Sequence, residues 1–496
     1  MRLLFATSEI YPVVKTGGLA DVSAGLSNAL RQLGVEVRLL LPAYAVALER
    51  LQQVEELARF DVAGCGRQRS ARLLQARHAE LDSPLWLIDI PGLFDRPGNP
   101  YQAADGSDWW DNGERFGLFC LAAAELAQGR VGLSWQPDLV QANDWQTGLL
   151  PALLTRESRR PRTLFTIHNL SYGGHFPPSL FTGLGLPPHW WQIEGVEFYG
   201  QFSFLKAGIQ FADQVTTVSP SYAAEICLPP QGYGFDGLLA RRRAEGALHG
   251  ILNGIDTRVW NPVNDPALAR NYSLTADLAA GKAANQQAVL RQLGAAHPAR
   301  PAVPLLAFIG RLVEQKGIDL LLEVLPSLLQ QTAARVVLLG SGMAHYEAAL
   351  RTLAAQQPER VLLHIGYDEV LAHRVEAAAD LFLMPSRFEP CGLNQLYSLA
   401  YGTPPLVRAT GGLRDTVTDA DATSLAAGTA TGFVFHEATP TALLQTVLRA
   451  LRLWQQPALW RQLQEAGMGQ DFSWQRSARS YLQLYRQGEA DVRTGQ

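Results

Sequence analysis

Three short segments combine glycine with cations or hydroxyls in a way that suits a diphosphate. Lys15-Thr16-Gly17-Gly18-Leu19 lies between an apolar run and a helical stretch opening at Ala20, where main-chain N–H groups and the helix dipole can meet a phosphate. Thr410-Gly411-Gly412 has the same form ahead of Leu413–Asp419. Arg311 and Lys316 stand five residues apart across a strand-to-helix loop ending in Gly317, so both cations can converge on one anion. Such groups would hold a diphosphate and stabilise the charge it gains when a bond to it breaks. Singly, each has a plainer reading, a Gly-Gly turn or a solvated cation pair. Their shared position after strands in both halves of the chain favours the site.

The elements around them explain that position. Arg2–Thr7, Val35–Leu41, Pro137–Gln141, Thr163–Ile167 and Gln214–Val218 read as buried strands separated by loops and helical stretches. After Asn253-Gly254 the rhythm restarts with Leu305–Ile309, Val336–Leu339, Val361–Ile365, Leu381–Met384 and Pro405–Arg408. Continuous apolar strands alternating with helices predict parallel sheets covered on both faces, hence an α/β chain of two doubly wound domains. The boundaries expected are 1–255 and 256–471, with a helix in 472–496 joining the first domain. Ligands of such sheets bind beyond the carboxyl ends of the strands. There the sequence also places Asn143-Asp144, His168-Asn169, Gly340-Ser341-Gly342, Tyr367-Asp368 and Ser386-Arg387-Phe388-Glu389, which describes a deep cleft between facing domains.

Composition narrows the class. The 496 residues are 47% hydrophobic and 18% charged, which excludes a disordered chain, and the formal net charge of −4 gives no reason to expect nucleic acid. No apolar run reaches the length of a membrane span or a signal sequence, and the four scattered cysteines suit a reducing, cytoplasmic setting. Only four lysines, Lys15, Lys206, Lys282 and Lys316, stand beside 38 arginines. In a chain that defaults to arginine, a lysine marks a place where a compact ammonium fits and a guanidinium fork does not. Gly340-x-Gly342 lacks the third glycine of a dinucleotide fingerprint, and phosphate-loop, zinc-protease and serine-hydrolase motifs are missing. Asp419-Ala420-Asp421 reads as a solvated turn. With Arg311 and Lys316 available to neutralise a leaving diphosphate, no metal and no other cofactor is expected.

The segments KTGGLAD (Lys15–Asp21), DWWDNGERF (Asp108–Phe116), NDWQ (Asn143–Gln146), TIHN (Thr166–Asn169), NGID (Asn253–Asp256), GRLVEQKG (Gly310–Gly317) and PSRFEPCGLNQLY (Pro385–Tyr397) resemble, in this order, the bacterial glycogen synthase and plant starch synthase family. These are retaining glycosyltransferases of the GT-B fold, and the resemblance runs nearly end to end. It implies transfer of glucose from ADP-glucose to the non-reducing 4-hydroxyl of glycogen or another α-1,4-glucan, with release of ADP. By resemblance Glu389, Lys316, Arg311, His168 and Asp144 form the catalytic group: cations on the diphosphate, His168 at the donor glucose, Asp144 toward the acceptor, and Glu389 gripping the transferred sugar. The same resemblance gives the donor Lys15, Gly17, Gly18, Asp21, Asn253, Tyr367 (stacked on adenine), Cys391, Gly392 and Leu393, beside Thr410, Gly411 and Gly412. It places Tyr101 and Trp145 near the glucan. Two positions depart from wider patterns: Tyr397 stands where many retaining GT-B enzymes carry a second glutamate, and Asn394 where some relatives carry threonine. A related transferase using UDP-glucose or a small acceptor is the alternative, and a catalytically silent binding protein is disfavoured by the intact motif residues. The resemblance says nothing of oligomeric state.

Overall fold

A computed structural model describes residues 1–103, 105–295 and 303–494. The chain divides into two compact units, residues 1–254 together with the segment from Trp474 onward, and residues 255–473. Of the tail expected over 472–496, positions 495 and 496 lie outside the described residues.

The strands of the first unit are β1 (Arg2–Ala6), β2 (Glu36–Pro42), β3 (Gln52–Gly64), β4 (Arg67–Arg77), β5 (Leu85–Asp89), β6 (Leu139–Asn143) and β7 (Arg162–Ile167). Three short strands follow, β8 (His175–Phe176), β9 (Glu197–Phe198) and β10 (Gln201–Ser203), and then β11 (Gln214–Thr217) and β12 (Leu248–Gly250). The main sheet has the order β12-β11-β7-β6-β1-β2-β5-β4-β3. From β12 to β5 every pairing is parallel. Every residue of β5 and β6 is buried, as strands covered on both faces require. The antiparallel pair β4 and β3 extends this sheet beyond the parallel strands read from the sequence. Its outer strand, QQVEELARFDVAG, is largely exposed and charged, which keeps an open sheet edge from pairing with another chain.

In the second unit β13 (Leu305–Ile309), β14 (Arg335–Gly340), β15 (Val361–Ile365), β16 (Leu381–Met384), β17 (Pro405–Arg408) and β18 (Phe433–Phe435) form one parallel sheet, order β15-β14-β13-β16-β17-β18. This is the 3-2-1-4-5-6 order of a doubly wound nucleotide-binding sheet, whose crevice opens where the order reverses, between β13 and β16. The first unit reverses in the same manner between β1 and β6.

The final helix, Trp474–Thr494, packs within the first unit against the helix Gly18–Gln32. The Trp474 indole lies where a Cβ on Gly25 would sit, Ser477 Oγ donates to the Leu252 carbonyl at 2.6 Å, and the buried Tyr485 hydroxyl bonds Gln141 Oε1.

Candidate active site

In the second unit the crevice between β13 and β16 receives the two loops the sequence singled out. Arg311 and Lys316 lie on the loop after β13, and Glu389 on the loop after β16. Lys316 Nζ donates to Glu389 Oε2 at 2.6 Å, and Ser386 Oγ donates to the same oxygen at 3.0 Å. Glu389 is 6% exposed, so its charge is held out of water by one ammonium and one hydroxyl. The loop cannot slide. Gly317 has φ +72°, and a Cβ there would stand 2.2 Å from the Pro385 carbonyl oxygen. Arg387 N donates to the Gln315 carbonyl at 2.8 Å, which ties the two loops together a second time. Arg311 is exposed, with one guanidinium nitrogen 3.1 Å from Gln315 Oε1.

The turn Cys391-Gly392-Leu393 leads from Glu389 into the helix Asn394–Ala400, and Gln395 Nε2 donates to the Cys391 and Gly392 carbonyls at 3.0 Å. Thr410-Gly411-Gly412 packs against this loop. Gly411 has φ +43°, and a Cβ there would meet the Glu389 carbonyl oxygen at 2.0 Å. The Gly412 amide is shared between the Glu389 and Pro390 carbonyls, each at 3.2 Å, so that N–H braces the Glu389 loop where the sequence suggested a phosphate contact. Asn394 Nδ2 donates to the Ile309 carbonyl at 2.7 Å, a structural bond. Tyr397 is buried, with Trp260 stacked on it at 3.7 Å and His373 stacked on Trp260 at 3.8 Å. Tyr367, after β15, is 73% exposed. In the Asp419-Ala420-Asp421 turn, Asp419 pairs with Arg449 at 2.6 Å and Asp421 caps the helix Ala422–Ala427.

The first unit builds its group at the reversal between β1 and β6. Glu9, just past β1, is buried and was not picked out from the sequence. Its carboxylate accepts from Thr16 N and Thr16 Oγ1, both at 2.5 Å, from Gly17 N at 3.0 Å and from Tyr101 Oη at 2.6 Å. Glu9 therefore folds the KTGGL loop over itself and takes up the Gly17 amide that was expected to face phosphate. Lys15 Nζ pairs with Asp21 Oδ1 at 2.8 Å, and Gly18 opens the helix.

Asp144 follows β6 with φ +57°, a conformation Asp tolerates better than most residues. The His168 amide donates to Asp144 Oδ1 at 2.7 Å. Enclosure by protein pushes the Asp144 carboxyl up to about 7 in spite of that bond, and enclosure pushes the His168 imidazole down to about 3. The ring is thus neutral across the physiological range. Asn143 Nδ2 donates to the Ala6 carbonyl at 2.9 Å, which turns Asn143 Oδ1 toward His168 Nε2 at 3.0 Å. Nε2 therefore carries the proton, and Nδ1 is left as the ring's acceptor for a hydroxyl. Trp145 lies among Phe116, Phe176 and Phe204, with centroids 5.1, 5.6 and 6.3 Å away. Asn253 is buried, and its Oδ1 has no hydrogen-bond partner among the described residues.

Residues 2–241 match the starch synthase catalytic domain family and residues 294–466 the glycosyl transferases group 1 family. A glycogen synthase of Hydrogenovibrio crunogenus is 56% identical over 488 residues, covering 98% of this chain and 99% of its own. One from Thioalkalivibrio sulfidiphilus is 52% identical over 486 residues, with 98% and 99% covered. Among solved structures, the catalytic domain of starch synthase IV from Arabidopsis thaliana, bound to ADP and acarbose, superposes with a TM-score of 0.87 at 32% identity and covers 98% of each chain.

Proposed function

Since this chain belongs to the glycogen synthase and starch synthase family of GT-B glycosyltransferases, we infer that it transfers glucose from ADP-glucose to the non-reducing end of an α-1,4-glucan, with retention of configuration and release of ADP. The observation that carries this reading to the residues is the Lys316–Glu389 pair at the sheet reversal of the second unit. Breaking the sugar–phosphate bond builds negative charge on the diphosphate and positive charge on the sugar. Lys316 and Arg311 answer the first, and the Glu389 carboxylate answers the second while gripping hydroxyls. Exposed Tyr367 stacks on the base, as the resemblance implies, and His168 Nδ1 accepts from a donor hydroxyl. Lys15 is placed on the diphosphate by resemblance. A leaving phosphate oxygen takes the acceptor's proton as the new glycosidic bond forms on the face from which ADP departs. Purified protein given ADP-glucose and glycogen should release ADP and lengthen chains, and no turnover with any glucosyl nucleotide overturns the reading. A cytoplasmic location belongs to the same reading, supported by four free thiols.

Metal-independent transfer is part of this proposal, because the cations of the second unit supply the charge a metal would. Exhaustive dialysis against EDTA should leave the rate of ADP release unchanged, and loss of activity restored by a divalent cation contradicts it.

Asp144 gives a pH signature. Its ionised form stabilises positive charge on the sugar, so kcat/KM should rise as pH passes through about 7. In Asp144→Asn that step disappears from a lower plateau. His168 adds no step at neutral pH, being neutral above about 3. Stability carries the opposite sign. An unfolded Asp ionises near 3.8 while native Asp144 stays protonated to about 7, so its contribution falls as pH rises between those values. Urea midpoints of wild type relative to Asp144→Asn should therefore decline over that window.

A further inference from the structure

Two tight turns in the first unit hold tyrosine where a tyrosine is disfavoured. Tyr199-Gly200 joins the antiparallel strands β9 and β10 in a two-residue loop, with φ of +48° and +81°. Tyr233-Gly234 repeats the pattern at +49° and +84°, closed by the Phe235 amide donating to the Gly232 carbonyl at 2.7 Å. Positive φ at both central residues makes each a type I′ turn, whose first central position favours Asn, Asp or Gly and penalises a bulky side chain. A residue held in such a conformation without a packing reason points to function. Burial gives little reason: Tyr199 meets Phe198 edge-on at 4.8 Å but remains 81% exposed, and Tyr233 is 45% exposed.

The two turns lie side by side. Phe198 and Phe235, which flank them, stack at 4.1 Å with an 11° tilt, and His175 stacks on Phe198 at 5.0 Å. A Cβ on Gly234 would stand 3.0 Å from Tyr199 Cε2, so the Tyr199 ring lies over the second turn. Tyr172, 52% exposed, stands three residues before the stacked His175 on the same stretch of chain. The chain runs from His168 through Tyr172 to His175 at the start of β8, so the segment that carries the His168 ring also carries part of this aromatic patch.

We propose that Tyr172, Tyr199 and Tyr233 form a platform on which glucose rings of the α-1,4-glucan acceptor stack. The proposal rests on the glucosyltransferase reading above. A pyranose ring presents an apolar C–H face with hydroxyls at its rim. A phenol ring matches this with a flat face and a polar tip, and the underlying Phe198–Phe235–His175 stack holds the platform rigid, limiting the entropy lost on binding. Trp145, one of the two aromatic residues that the resemblance places near the glucan, is packed among three phenylalanines, whereas these tyrosines face solvent.

The test uses Tyr199→Asn and Tyr233→Asn, which relieve the turns while removing the rings, with Tyr199→Phe as the ring-preserving control. Binding of maltoheptaose is measured by calorimetry without donor, and kinetics with ADP-glucose and glycogen. Each Asn variant should raise the maltoheptaose Kd and the KM for glycogen about three- to tenfold, the range of one aromatic contact. Saturated kcat and the KM for ADP-glucose should stay within about twofold, since the rings lie outside the reacting group. The unfolding temperature should equal or exceed that of wild type, and Tyr199→Phe should bind nearly as wild type. Unchanged glucan affinity in both Asn variants overturns the platform. So does a fall in unfolding temperature together with kcat, which marks a structural role, or a change of oligomeric state with glucan affinity intact, which makes a second copy the occupant. The binding arm needs no turnover. An inactive wild type that still binds maltoheptaose through these tyrosines defeats the transfer reading alone, and an active enzyme indifferent to them defeats the platform alone.

Discussion

Glu389→Gln is expected to lower kcat by at least about 100-fold, the loss of at least ~2.7 kcal/mol that follows removal of one preorganised electrostatic group from an active site. Glutamine keeps the size of the side chain and can still accept from Ser386, so the loop should hold its place. What it removes is the charge opposite Lys316 at 2.6 Å and the only feature of that loop able to stabilise a cationic sugar. The effect should fall on kcat at saturating ADP-glucose, with a smaller change in the donor's KM, because the charge on the sugar exists only in the transition state. Rates of ADP release measure it, and activity within a few-fold of wild type contradicts the role given to Glu389.

Lys316→Ala should be comparably damaging, with a different kinetic pattern. The ammonium faces a diphosphate that is charged in the bound donor and more so in the transition state, so KM for ADP-glucose should rise while kcat falls by a similar factor of about 100. Alanine also leaves the buried Glu389 carboxylate without its cation, and breaking such a pair from one side is costly. The double variant with Glu389→Gln should accordingly lose less than the two single losses combined. Lys316→Arg should not restore the rate. The backbone is fixed by Gly317 beneath the Pro385 carbonyl, and a longer planar fork cannot occupy the point taken by Nζ. Full activity in Lys316→Arg shows that a compact ammonium is not needed.

The two remaining lysines support that reasoning from outside the site. Lys206 Nζ donates to the Ile193 carbonyl at 2.6 Å and also to that of Glu197, and buried Lys282 reaches Thr403 Oγ1 at 2.7 Å and the Ala377 carbonyl at 3.1 Å. Enclosure pushes the Lys282 ammonium down to about 8. Small converging acceptors select a point-like cation in each case, so lysine scarcity was informative about packing as much as about phosphate.

Legibility followed the range over which each signal acts. Strands β13, β15, β16 and β17 have the bounds their apolar runs predict; for the interior strands β13, β16 and β17 this follows because strands buried on both faces write themselves as continuous hydrophobic segments. The β3–β4 hairpin left no such trace. Its Val, Leu, Phe and Ala residues are broken up by Gln, Glu, Asp, Arg and Ser into no long apolar run, and its turn at Cys65-Gly66, with φ of +54° and +72°, carries none of the usual Asn-Gly chemistry. In the site, Arg311, Lys316 and Glu389 were legible from their places after strands. Glu9 was not, since a lone acid gains meaning only when the chain returns to set Thr16, Gly17 and Tyr101 around it. The role of Gly412 was hidden for a related reason: a Gly-Gly pair before a helix looks alike whether its amides meet phosphate or the carbonyls of a neighbouring loop.

The docking of the last helix against the first unit has a consequence for synthesis. Residues 255–473 are continuous in sequence, so that unit is built from one uninterrupted stretch. The unit begun by Met1 closes only when Trp474 reaches Gly25 and Tyr485 reaches Gln141. Although its sheet is made first, it is therefore finished no earlier than the second unit. A chain ended just before Trp474 would keep all of the second unit and lack the helix that closes the first.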